Sequence, residues 1–192
     1  MRPALVLVDL QEDYLDRPPL AARRGALLAR IGVLLAAFRD RGLPVLHVAS
    51  VYKADRSNWT RSMLRDDWPV AIEGTPGVGI APEARPGAGE PVIVKDRYSA
   101  FFRTDLEERL RASGADALVV AGVNTHACVR TTVIDAFMRD WPVLVPTDGV
   151  DSWDPEHHRV TLAYLSRGIA ELKTVEQIVR ALAGEGHDNP TP

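Results

Sequence analysis

The chain has 192 residues, of which 46% are hydrophobic and 26% charged, with a formal net charge of −3 and a pI of about 6.0. That length can bury one substantial core, and the balance argues against disorder. The acidic pI and the lack of a Lys/Arg block argue against a nucleic-acid partner. A single cysteine excludes an internal disulfide framework and fits a reducing compartment. The opening apolar run is too short for a signal peptide and breaks at Asp9, and no stretch approaches the roughly 18–20 apolar residues of a membrane span. No membrane partner and a cytoplasmic location are therefore expected.

"ALVLVD" (4–9) reads as a strand buried on both faces. "RGALLARIGVLLAAFRDRG" (24–42) reads as an amphipathic helix ending at Gly42, with Pro44 as a stop signal. "PVLHVAS" (44–50) is a second strand and "PVIVK" (91–95) a third. Between them, residues 51–91 are polar and then rich in Gly and Pro, which reads as a pocket-covering insertion. "TDLEERLRASG" (104–114) is a helix with a Thr104–Glu107 capping box and a terminal Gly114. "ALVVAG" (117–122) is the fourth strand, "HACVRTTVIDAFMRD" (126–140) a helix and "PVLVPTD" (142–148) the fifth strand. "PEHHRVTLAYLSRG" (155–168) is a helix, "IAELK" (169–173) a sixth strand, and "TVEQIVRALAG" (174–184) a final helix capped by Thr174 and Gln177. Residues 185–192 are expected to fray.

Continuous apolar strands alternating with helices predict an α/β fold. The expectation is one three-layer α-β-α domain over 1–184, with a six-stranded, mainly parallel sheet. Ligands of such sheets bind at the carboxyl ends of the strands. Asp9 ends the first strand and Lys95 the third; the turn from Gly122 to Cys128 follows the fourth, and Asp148 ends the fifth.

A lone cysteine is most often a small buried hydrophobe. Cys128 differs by its position in the first turn of a helix, where free N–H groups and the dipole lower a thiol's pKa and offer oxyanion donors. His126 lies two residues away, on another helix face, and is a poor partner. Lys95 and Asp9 are better ones: the lysine favours thiolate and carboxylate, and the aspartate accepts and returns a proton. "GTPGVG" (74–79) imitates a phosphate loop, but it neither follows a strand nor leads into Gly-Lys-Ser/Thr. No metal constellation is evident, and neither a metal nor a cofactor is expected.

With those three residues placed, the sequence resembles the isochorismatase-like superfamily of cysteine hydrolases over nearly its whole length. "ALVLVDLQEDYL" matches the family's opening strand, and "GVNTHACV" its nucleophile turn, the more specific signal. The resemblance implies a triad of Asp9, Lys95 and Cys128, a cis peptide between Val123 and Asn124, and an oxyanion hole from the Asn124 and Cys128 N–H groups. It also implies a homo-oligomer, a dimer or a tetramer. Family nicotinamidases hold a metal with an aspartate and two histidines; "YKADRSNWT" lacks those histidines.

The residues and the resemblance together imply a cysteine amidohydrolase acting on a small amide, carbamoyl, ureido or lactam C–N bond. An isochorismatase-type vinyl ether hydrolase and a non-catalytic binding module of the same fold are the alternatives. Tyr14, Asn58, Trp59, Tyr98 and Phe101 are candidate pocket residues, and Arg56 a candidate holder of a substrate carboxylate.

Overall fold

A computed structural model describes residues 1–184. The expected tail, 185–192, lies outside the described residues. Seven strands form one sheet: β1 (Pro3–Val8), β2 (Val45–Ser50), β3 (Val92–Lys95), β4 (Ala117–Val123), β5 (Val143–Pro146), β6 (Val150–Asp151) and β7 (Glu171–Lys173). Their order is β3-β2-β1-β4-β5-β7, with β6 also paired to β4, and every pairing is parallel. The sequence reading counted six strands. The missed one, β6, has two residues inside "TDGVDSW", too few to show an apolar period. It pairs with the end of β4 at Gly122 and Val123, beyond the point where β5 has left it.

The helices are α1 (Glu12–Leu15), α2 (Arg24–Arg39), α3 (Arg61–Asp66), α4 (Leu106–Ala112), α5 (Arg130–Phe137), α6 (Pro155–Leu165) and α7 (Val175–Leu182). α2 and α7 cover one face of the sheet, where Leu27, Ile31, Leu34 and Phe38 recur at helical spacing and pack with Leu5, Leu7 and Ile178. α4, α5 and α6 cover the other face through Leu110, Val133 and Leu165 against Val6, Val48 and Val120. Each such buried aliphatic side chain contributes about 1.5–3 kcal/mol over an exposed one.

Local signals held unevenly. Thr174 and Gln177 form the expected capping box of α7, and Gly42 and Gly114 take the left-handed conformation after their helices. The Thr104–Glu107 box does not form. Asp105 is the N-cap of α4; Thr104 Oγ1 donates to the Ala100 carbonyl, and Glu107 pairs with Arg111 and Arg139. The 51–91 insertion is not bare loop: it carries α3, capped by Thr60, and two short 3-10 turns. Its "GTPGVG" stretch docks on α1, since a Cβ at Gly77 would sit 1.8 Å from Asp13 Oδ1.

β1 lies at the centre, with β2 and β3 to one side and β4 to the other. The winding direction reverses between β1 and β4. A crevice therefore opens at their carboxyl ends.

Candidate functional site

Three strand ends meet at that crevice. After Val8 the chain turns through Asp9, whose φ is 51°, while its N–H still bonds the Val48 carbonyl at 2.9 Å. The turn directs the carboxylate inward. Asp9 Oδ1 accepts from the Ser50 N–H at 2.9 Å and from Ser50 Oγ at 3.0 Å. Asp9 Oδ2 accepts from Lys95 Nζ at 2.8 Å. Lys95, at the end of β3, also donates to Ser50 Oγ at 2.7 Å and to Cys128 Sγ at 3.4 Å. Asp9, Lys95 and Cys128 are 0%, 3% and 6% exposed, so their electrostatics run through one another rather than through water.

Gln11 braces the cluster from α1's side. Its Oε1 accepts from the Ser50 N–H at 2.9 Å, and its Nε2 donates to the carbonyls of Ser50 and Val78 at 2.9 and 2.8 Å. The β2 end and the insertion are thereby tied to the Asp9 turn.

Cys128 reaches the cluster by an irregular route. Gly122, near the end of β4, has φ 118°, and a Cβ there would lie 2.1 Å from the Val8 carbonyl oxygen. Only glycine lets β4 run this close to β1. The Val123–Asn124 peptide is cis. A π-turn, Thr125–Val129, then precedes α5, in place of the continuous helix over 126–140 that the sequence suggested. The Asn124 carbonyl accepts from the N–H groups of Ala127 and Val129 and not from that of Cys128 between them. Among the described residues the Asn124 N–H has no acceptor.

The state of the thiol departs from the helix-dipole argument. Burial, reinforced by the charge of Asp9, pushes the Cys128 thiol well above its ordinary pKa, and Lys95 offsets this only in part. Burial pulls the Lys95 ammonium down, but Asp9 and Cys128 outweigh it and hold the pKa above the usual lysine value. The resting site is thus a thiol beside a buried ion pair. His126 takes no part: its Nδ1 shares a 2.6 Å hydrogen bond with Ser152 Oγ.

A cavity of about 30 Å³ opens onto Cys128. Its walls include Tyr14, Tyr52, Trp68, Tyr98, Asn124 and Trp153. Among the described residues no three His, Cys, Asp or Glu side chains converge as a metal site.

A model of the isochorismatase domain matches residues 3–177. The chain belongs to the isochorismatase family. Among curated relatives of this isochorismatase-family chain is the maleamate amidohydrolase of Pseudomonas putida, 30% identical over 95% of this chain and 89% of the relative. Another is the phenazine biosynthesis protein PhzD1 of Pseudomonas aeruginosa, 29% identical over 93% and 86%. Among solved structures, the N-carbamoylsarcosine amidase of Thermoplasma acidophilum superposes with a TM-score of 0.78 at 31% identity, over 92% of this chain and 98% of that one. The family includes hydrolases, and two of these proteins are named for acting on amides.

Of the residues singled out from the sequence, the family fold brings Asp9, Lys95, Asn124 and Cys128 together and places Tyr14 and Tyr98 on the cavity wall. The other four stand elsewhere. Arg56 is half exposed, pairs with Asp67 and stacks on Trp59. Asn58 is a loop brace, accepting from the Lys53 N–H at 2.8 Å and donating to the Val51 carbonyl at 3.1 Å. Trp59 packs in the core and donates to the Lys53 carbonyl at 2.9 Å. Phe101 is buried in the core on the α4–α6 face, with Arg139 over its ring. The sequence reading missed Ser50, Gln11, Tyr52, Trp68 and Trp153. Ser50 was accessible to the strand-end rule, since it ends β2. The two tryptophans come from separate loops with no pattern to mark them.

Proposed function

We propose that the protein is a cysteine amidohydrolase that cleaves a small-molecule C–N bond through an acyl-enzyme on Cys128. The observation that carries this is the Lys95 ammonium, bonded at once to Asp9 Oδ2 at 2.8 Å and Cys128 Sγ at 3.4 Å on the cavity floor. Likeness to an amidohydrolase and an amidase supports amide chemistry.

In this mechanism the Cys128 proton passes to Asp9 as Sγ attacks the carbonyl carbon. Burial keeps the thiol protonated at rest, so the proton leaves in step with attack, and Lys95 stabilises the sulfur charge that develops. The carbonyl electrons move to oxygen, which accepts from the N–H groups of Asn124 and Cys128. Each such donor is worth about 3–4 kcal/mol in the transition state. Collapse expels the amine with the proton held by Asp9 and leaves a thioester. Water then gives a proton to Asp9 and attacks; the acid departs, and Sγ regains its proton. The net reaction is amide plus water to acid plus amine.

The cavity's 30 Å³ is about one water's share of liquid volume. Entry of a substrate therefore requires the partly exposed Trp68 and Tyr98 on its wall to move aside. Ether cleavage of the isochorismatase type is the competing reading. Cys128→Ala separates the two: amide turnover falls to background with an unchanged circular dichroism spectrum, whereas a variant that keeps turning over sinks the proposal.

A further inference from the structure

We infer, resting on the amidohydrolase reading, that the cavity selects uncharged, planar amides or ureido compounds over those bearing a carboxylate. The wall carries five aromatic rings, Tyr14, Tyr52, Trp68, Tyr98 and Trp153, and beyond the Cys128 cluster no charged side chain. The cluster itself is neutral overall: a thiol, with the Asp9 carboxylate balanced by the Lys95 ammonium.

Each nearby cation is held off the wall. Arg56 is paired with Asp67. Arg97 donates to the carbonyls of Asn58 at 3.0 Å and Asp96 at 2.6 Å. The Arg17 guanidinium stacks on Trp68 and Trp153, 4.6 and 4.0 Å from their ring centres, and lines the groove beside Glu12, Asp13 and Asp16 instead of the cavity. His126, behind Trp153, has its pKa lowered by burial and stays neutral at pH 7.

A carboxylate entering this space would lose its water and meet only a lysine whose charge Asp9 already balances. An uncharged planar group loses far less on desolvation than a carboxylate does and stacks on the rings. A hydroxyl on the wall can orient it. The Tyr52 hydroxyl has no hydrogen-bond partner among the described residues, and its pKa, pushed up by burial to about 12, keeps it a donor.

Arg17 is the one feature that argues the other way, because its Nη1 is buried and without a partner. The test therefore includes it. Crotonamide and fumaramate differ by a methyl against a carboxylate. Calorimetric titration of Cys128→Ser is expected to give at least 100-fold tighter binding of crotonamide. Wild-type kcat/KM is expected to show the same preference, and Arg17→Met to change it by less than 3-fold. Ser62→Arg, which sets a cation at an exposed position on the rim, is expected to shift it at least 10-fold toward fumaramate. Fumaramate binding as tight as crotonamide, or binding of neither, overturns the inference; tight fumaramate binding lost in Arg17→Met makes Arg17 an anion anchor instead. If Cys128→Ser prefers crotonamide but the wild type hydrolyses neither, the amidohydrolase reading fails and the selectivity stands.

Discussion

Replacing Lys95 by methionine removes a charge while keeping most of the side-chain volume. Lys95 Nζ is fully buried and holds Asp9 Oδ2 at 2.8 Å, Ser50 Oγ at 2.7 Å and Cys128 Sγ at 3.4 Å. At about 3 Å and an effective dielectric of about 20, the Coulomb attraction to Asp9 is on the order of 5 kcal/mol. Removing one partner of a buried pair leaves the other uncompensated, at a measured cost of about 3–5 kcal/mol. Lys95→Met is therefore expected to lose about 3–5 kcal/mol in urea unfolding at pH 7.

The sign of its pH dependence follows from Asp9. Without the ammonium, a carboxyl group buried to 0% exposure has its pKa raised in the folded variant. A raised carboxyl contributes stability below its unfolded pKa of about 4 and loses it as pH rises through the folded value. The deficit of Lys95→Met relative to wild type should thus shrink from pH 8 toward pH 4. Asp9→Asn in the same background should restore part of the loss. A deficit below about 1 kcal/mol at pH 7, or one independent of pH, would refute the reasoning. Activity should fall at least 1000-fold in Lys95→Met and in Asp9→Asn alone.

Gly122→Ala, with φ 118° and the Val8 carbonyl 2.1 Å from the new Cβ, is expected to lose about 3 kcal/mol or more by thermal or urea unfolding. Tyr52→Phe should lower kcat/KM for an uncharged amide about 10-fold while leaving stability within about 1 kcal/mol, since it deletes one unpartnered donor. Glu90 is held at a pKa of about 2, first by Arg39 and then by the Gly87 N–H and His47. Its contribution is present above a pH of about 4.5 and lost as pH falls toward about 2, so Glu90→Gln should cost about 2 kcal/mol at pH 7 and less at pH 3, with turnover retained. Thr174→Ala should cost about 1 kcal/mol through loss of the α7 cap, read by urea unfolding.

The layered fold and the meeting of Asp9, Lys95 and Cys128 were legible because both follow from one rule. Continuous apolar runs mark buried parallel strands, and their carboxyl ends mark the crevice. Ser50 obeys the same rule and was passed over because a serine ending a strand looks ordinary. The state of Cys128 was not legible: the helix-start argument pointed to a lowered pKa, but burial, reinforced by Asp9, raises it. Nor was the π-turn, which interrupts a stretch that reads as continuous helix. The pocket wall was half legible. Tyr14 and Tyr98 stand close in sequence to Asp9 and Lys95, whereas Trp68 and Trp153 arrive from loops placed only by tertiary packing. Arg56, Asn58 and Trp59 look like pocket residues because they are polar or aromatic and lie on a loop, but the loop uses them to hold its own shape.

The central claim is that Cys128 carries the acyl group during turnover. The most direct measurement is acid-quenched mass spectrometry of the wild-type protein mixed with an uncharged amide in excess. The account predicts an acyl adduct of the substrate's mass less its amine, mapping to the peptide that holds Cys128 and absent from Cys128→Ala. Turnover that persists in Cys128→Ala, with no adduct on the wild type, would contradict it.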